Sequence, residues 1–230
     1  MPIPCYLALT AAEFAEIDPL PEKCAWMACH FSCYGTGLSN LPDMLPEGSI
    51  IILNDRTPIH KHDPQRICAQ LNTLAERFHP DGILLDFQRS NIPETRKVAE
   101  VLTQELPCPV AVTQNYADEL ACAVFLEVPI YIPLEKYIMP WKGRQLWLDA
   151  APDMTQLTVT ETGCQITKAE IPPAEPIFTD TQLHCDYHIA LTDSSAIFTL
   201  HRDKTQLGRL LEEAENLGFV RAIGLYQEWK

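Results

Sequence analysis

Short apolar runs, each closed by polar or turn-forming residues, recur along the chain. Eight of them read as β-strands, over 5–9, 25–31, 50–54, 82–87, 110–113, 123–126, 145–148 and 221–226. Helical patterns lie between several. Over 63–78, Ile67, Leu71, Leu74 and Phe78 recur at threes and fours behind Asp63-Pro64, a capping residue and a first-turn proline. Over 93–106 the stripe is Val98, Val101, Leu102 and Leu106; over 205–217 it is Leu207, Leu210, Leu211, Ala214 and Leu217, stopped by Gly218. Strands alternating with helices predict a parallel sheet, and eight strands in 230 residues predict a compact (β/α)8 barrel of the TIM type. A doubly wound open sheet with fewer strands is the structural alternative.

One region breaks the alternation. Residues 155–160 and 164–168, joined by Glu161-Thr162-Gly163, read as a β-hairpin. A second hairpin is expected from 186–191 and 196–201, where apolar residues alternate in each arm. Both fall between the seventh and eighth strands, which predicts a single barrel domain over 1–230 carrying an antiparallel β insertion over 152–202.

Charge narrows the partners. With 17 basic against 31 acidic residues, the formal net charge is -14, which disfavours nucleic acid and anionic membranes and favours a neutral or cationic small molecule. No apolar run approaches the ~20 residues of a membrane span, and the first residues lack the pattern of a secretory signal. Nine cysteines without a spacing framework fit free thiols in a reducing cytoplasm. Oligomeric state is not legible. Gly-x-Gly-x-x-Gly, Walker-type and Gly-x-Ser-x-Gly sequences are missing, so no nucleotide cofactor is expected and the commonest esterase arrangement is excluded.

In a parallel barrel the carboxyl ends of the strands form the ligand site. That rule makes substrate-binding candidates of His30 and Tyr34 after strand two, Asn54, Asp55 and Arg56 after strand three, and Gln88 and Arg89 after strand four. Gln114 and Asn115 follow strand five and Tyr226 belongs to strand eight. It makes catalytic candidates of the carboxyl groups of Asp86, Glu127, Asp149 and Glu228, because a paired-carboxylate mechanism needs two acids across the scissile bond. Pairing of these acids with Arg56, Arg89 or Arg144 would keep them ionised and poor as proton donors. His60 and His62 are ligand types for a metal-dependent hydrolase, but Asp63 beside them is better explained as a helix cap, so no metal site is assigned.

The stretch Asp81-Gly82-Ile83-Leu84-Leu85-Asp86-Phe87-Gln88 resembles the fourth-strand motif Asp-Gly-x-x-x-Asp-x-Glu of family 18 glycoside hydrolases, the chitinase-like barrels. The resemblance implies a TIM barrel and a saccharide ligand. It gives Asp86 the role of the acid that steadies the substrate's acetamido group and the charge on the intermediate. The general acid of that motif is replaced by Gln88, and an earlier acid by Leu84. The family's Ser-x-Gly-Gly and Met-x-Tyr-Asp signatures are replaced by Leu53-Asn54-Asp55-Arg56 and Phe125-Leu126-Glu127. Tyr226 or Trp229 matches the aromatic that floors the family's sugar site. The expected function is therefore a carbohydrate-active barrel unlike a conventional chitinase, with any proton supplied by Glu127, Asp149 or Glu228. The alternatives are a non-catalytic glycan or small polar ligand-binding pseudoenzyme and a metal-dependent hydrolase.

Overall fold

The computed structural model describes residues 3–33, 36–57, 62–89, 92–169 and 177–230. Eight parallel strands form: β1 (Cys5–Leu9), β2 (Cys24–Phe31), β4 (Ile50–Asn54), β5 (Gly82–Asp86), β6 (Val110–Thr113), β7 (Ala123–Leu126), β8 (Leu146–Asp149) and β14 (Phe219–Leu225). They run in the order β1-β14-β8-β7-β6-β5-β4-β2, and β1 also pairs with β2, which closes the sheet into a barrel. The short β3 (Leu38–Ser39) lies antiparallel outside β2.

Both faces of these strands are covered, which is why they read as continuous apolar runs. Tyr6, Ile50, Ile52, Leu84, Phe125, Trp147 and Ile223 fill the barrel interior. Leu53, Ile83, Leu85, Val112, Val124 and Leu148 belong to the core outside it, shared with helix residues. The helices there are α2 (Pro64–Phe78), capped by Asp63, α3 (Pro93–Glu105) and α5 (Lys204–Asn216). Three others are short: α1 (Ala11–Glu16), α4 (Leu134–Tyr137) and α6 (Tyr226–Trp229). β6 is followed by only a 3-10 turn, Gln114–Tyr116. There a buttress takes the place of a helix: the Arg144 guanidinium donates to the carbonyls of Ala117 at 3.1 Å, Leu120 at 2.6 Å and Cys122 at 2.6 Å.

The two expected hairpins are parts of one sheet. β9 (Asp153–Thr160), β10 (Gly163–Lys168), β11 (Phe178–Asp180), β12 (Cys185–Leu191) and β13 (Ser195–Arg202) form an antiparallel sheet in the order β10-β9-β13-β12-β11. The hairpins join because β13 pairs with β9 from Ser195↔Thr160 to Arg202↔Asp153. Alternation in a sequence marks strands but not their partners. The base of this sheet is fastened by Cys185 and Leu200, buried with Ile130 of the loop after β7, and by Arg202, which donates to the carbonyls of Leu183 and His184.

The strand ends differ from the sequence reading by a residue or two. β5 stops at Asp86, and Phe87 turns outward to pack against Phe31 and Tyr116. Tyr226 opens α6 rather than closing the last strand. Among the described residues no helix is long and apolar enough to cross a membrane.

The amino-terminal end of the barrel is plugged. Trp147 spans the interior beside Gly82, where a Cβ would lie 2.7 Å from the indole Cη2 and 2.8 Å from the Pro109 carbonyl oxygen. Asp81, just before, receives the Tyr6 hydroxyl at 2.5 Å and the Lys23 ammonium at 3.0 Å, and its carbonyl receives Arg221 at 2.8 Å. The Asp-Gly pair thus serves packing at the end opposite the carboxyl-terminal mouth. Gly82→Ala is expected to destabilise the fold by about 1–3 kcal/mol through overpacking. Gly208→Ala, on an open helical face, should stabilise it by about 0.5–1 kcal/mol. Urea denaturation of both variants checks the pair.

Candidate active site

Parallel strands deliver their carboxyl ends to one rim. Here Asn54 ends β4, Asp86 ends β5 and Asp149 ends β8; Glu127 follows β7 by one residue and Gln88 follows β5 by two. They surround a cavity of about 220 Å³ with Arg56 at its edge and Met27, Ile52, Leu84, Phe125 and Ile223 as its apolar lining.

Gln88 ties two of the acids together. Its side-chain Nε2 donates to Asp86 Oδ1 at 2.6 Å and to Glu127 Oε1 at 2.9 Å. Its backbone is fixed from below by Asp55, only 3% exposed, whose carboxylate accepts the amide N–H of Gln88 at 3.0 Å and of Arg89 at 2.9 Å. Thr113 Oγ1 adds a bond to the Phe87 carbonyl at 2.7 Å. Residues from β4, β5 and β6 thereby set one side chain, the pre-organisation that a ligand site requires. Asn54 is committed to the scaffold: its Nδ2 donates to the carbonyls of Cys29 and Met27, and its oxygen accepts the Arg56 N–H.

Electrostatics at the rim favour a bound proton. Burial lifts the Asp149 carboxyl from 3.8 to about 8, with further upward pressure from Glu127, Glu228 and Asp86. Burial also raises Asp86, helped by Glu127 and Asp55 and opposed by the Gln88 hydrogen bond and Arg56. Burial raises Glu228. Among the described residues, ion pairs join Lys23–Asp81, Arg96–Glu119 and His184–Glu213, none of them an acid of this cavity. Arg89 donates to the Arg56 carbonyl instead, at 2.7 Å, and Arg144 to its three carbonyls. Burial and the neighbouring acids thus bias the Asp149 carboxyl towards its protonated form, whereas the Gln88 amide has no such proton to give.

The cavity gathers Asn54, Arg56, Asp86, Gln88, Glu127 and Asp149, and the other candidates stand elsewhere. His30 is held by the Phe31 carbonyl and Asn40. Asp55 and Arg89 brace the turn after β5. Gln114 accepts the Tyr137 hydroxyl at 2.7 Å, and neither it nor Asn115 reaches the cavity lining. Tyr226 packs on the outer core beside Lys230. Glu228 sits on α6 and acts on Asp149 only through charge. Trp229 donates to the Ala150 carbonyl at 2.9 Å. Tyr34 and His60 lie outside the described residues, and His62 stacks on Phe31 at 4.7 Å. Among the described residues no three His, Cys, Asp or Glu side chains converge to hold a metal ion.

Sequence reasoning missed the apolar floor, whose strand alternation was readable only once the inward parity was known. It also missed Asp153, Lys168 and Arg202, which line an adjoining space of about 370 Å³ that shares Glu127 and Asp149. They come from the bases of β9, β10 and β13, and nothing in their spacing announces the meeting.

No family model and no curated protein matches this chain. Solved structures do. A Glu→Gln mutant of the class V chitinase from Nicotiana tobaccum, in complex with NAG4, superposes with a TM-score of 0.58 at 8% identity, covering 100% of this chain and 95% of that one. A Gly→Trp, Glu→Gln double mutant of the GH18 chitinase from Cycas revoluta, in complex with (GlcNAc)4, gives 0.57 at 11% identity over 96% and 94%. The spore cortex-lytic enzyme SleL from Bacillus megaterium gives 0.53 at 8% identity over 96% and 70%. This chain has the eight-stranded barrel fold of the family 18 chitinase structures, with an antiparallel sheet inserted between the seventh and eighth barrel strands.

Proposed function

We propose that this protein is a carbohydrate-active barrel that hydrolyses a glycosidic bond at its carboxyl-terminal mouth without the general acid of a conventional chitinase. The observation that carries the reading is the arrangement around Gln88: one amide holds Asp86 and Glu127, and a third carboxyl group, Asp149, whose burial favours the protonated form, lines the same cavity. Asp149 gives its proton to the leaving glycosidic oxygen. Asp86 steadies the positive charge that develops on the sugar ring, and Glu127 takes the proton of the water that attacks the anomeric carbon. The cavity of about 220 Å³ falls below the range of about 300–1,000 Å³ typical for drug-sized ligands; it suits a single sugar ring laid on Phe125 and its aliphatic neighbours.

A second reading, a binding protein without turnover, is favoured by the amide at position 88. The fold tolerates a Glu→Gln change while holding an oligosaccharide, since both saccharide complexes above carry one.

Aryl glycosides of glucose, glucosamine and N-acetylglucosamine, assayed by release of the aryl alcohol, separate the two. Hydrolysis is expected, with kcat lowered by roughly 10²–10⁴-fold in Asp149→Asn, the usual range for losing a general acid. Saccharide binding without release of any aryl alcohol selects the binding protein. The rate should also fall as pH rises through about 8, where Asp149 loses its proton.

Stability should carry the same signature. Asp149 binds its proton more tightly in the folded than in the unfolded chain, so its folded pKa lies above the unfolded one. Stability therefore declines between about 4 and 8 as pH rises, and the contribution is complete only below that window. Asp149→Asn is expected to flatten this slope and to raise the urea midpoint at pH 8, measured on both proteins across that range.

A further inference from the structure

We propose that the unit on the leaving side of the scissile bond carries a carboxylate, and that Arg202 and Lys168 of the inserted sheet hold it. The proposal rests on the saccharide reading above and names its substrate class, a glycoside whose leaving unit is acidic.

The place follows from the site. A space of about 370 Å³ adjoins the cavity and shares Glu127, Asp149 and Ala151 with it. Asp149 is the group that meets the leaving oxygen, so the leaving unit occupies this space. The inserted sheet supplies three of its side chains: Asp153 opens β9, Lys168 closes β10 and Arg202 closes β13.

Arg202 is the observation that points to an anion. It is 3% exposed, and a buried charge is costly unless something compensates it. The chain compensates it only in part. Its Nε donates to the His184 carbonyl at 3.2 Å and its Nη2 to the Leu183 carbonyl at 2.8 Å. The remaining nitrogen, Nη1, meets no acceptor among the described residues, yet it is not sealed within the protein. Asp153 stands directly opposite Arg202 in the strand ladder, but no ion pair joins the two. The Asp153 carboxylate receives the Thr155 hydroxyl instead, at 3.3 Å, and Glu213 is taken by His184. Burial accordingly pulls the guanidinium below its usual range, opposed through charge alone by Cys185, Asp153 and Glu213. Lys168, exposed at the edge of the sheet, adds a second positive charge; it acts on Glu228 through charge without pairing with it. A sugar hydroxyl could accept from Nη1 but would leave the buried charge uncompensated, whereas a carboxylate does both.

The acids around this space set the size of the anion's charge. Glu127 is engaged by Gln88, Asp153 by Thr155, and Asp149 leans towards its protonated form, so none of them takes up either cation. Their field still opposes a second negative charge, which favours a monoanionic carboxylate over a dianionic phosphate.

Phenyl and 3-carboxyphenyl glycosides of glucose, glucosamine and N-acetylglucosamine differ only by the acid on the leaving unit. Titration calorimetry of the full chain at pH 6.5 and low salt should show the carboxyphenyl member of a pair binding about tenfold tighter, the difference between a charge-assisted and a neutral hydrogen bond. That preference should shrink at 0.5 M salt and in Arg202→Gln, or in the exposed Lys168→Gln if the first variant does not fold. Equal binding within every pair, or a preference that Lys168→Gln and salt leave intact, overturns the acidic leaving unit and leaves the saccharide site standing. Benzoate binding as tightly as the carboxyphenyl glycosides, and weakened by Lys168→Gln, keeps the anion site and removes the sugar. No binding by any of these compounds overturns both.

Discussion

The double pairing of β1 is the constraint on which the rest depends. Its register places Cys5 beside Ala222 of β14 and Leu7 beside Cys24 of β2, so one strand of five residues joins both ends of the sheet. In an open sheet, β5 and β8 would hold Asp86 and Asp149 about 14 Å apart along one flat edge, three strand spacings of about 4.8 Å. Closure curls that edge into a ring, and residues of the same parity turn inward to share one cavity. The packing of Trp147 against Gly82 and the Asp81 cluster stiffen the opposite end, and the mouth inherits that rigidity.

The acids are the dominant feature of the mouth. Three carboxyl groups in a space of about 220 Å³ cannot all be ionised without large mutual repulsion. The chain answers this in two ways: Asp149 keeps its proton, and Asp86 and Glu127 share the amide of Gln88. A fourth carboxyl group at position 88 would add charge where repulsion already lifts its neighbours. The amide there replaces part of the lost hydration, and Asp55 holds it in place from the buried side. Acid chemistry and the departure at position 88 are thus two sides of one electrostatic arrangement.

The inserted sheet enlarges this environment. Asp153, Lys168 and Arg202 stand at the bases of three neighbouring strands and reach the space that adjoins Glu127 and Asp149. Strand alternation then carries Leu157, Ile166 and Phe198 to the same side of the sheet. The sheet therefore brings positive charge close to an otherwise acidic mouth, and brings apolar surface beyond it.

Much of the framework was legible from the order of residues alone. Strands buried on both faces must be apolar throughout, so runs such as Ile50–Asn54 and Val110–Thr113 declared themselves; helices α2, α3 and α5 declared themselves by spacing and caps. The chain direction of parallel strands then placed Asp86, Gln88, Glu127 and Asp149 near one another, because the carboxyl ends must share a rim. Sequence could not say which polar residues at those ends face the cavity, since beyond the last paired residue the chain enters turns whose geometry alternation does not fix. His30, Gln114 and Tyr226 were equally good candidates by position and are held elsewhere by local hydrogen bonds and packing. Nor could sequence show that Asp149 keeps a proton, that Asp55 serves the backbone, or that two hairpins make one sheet. Those outcomes depend on distance, burial and pairing between segments far apart in the chain, and only the closed tertiary structure supplies them.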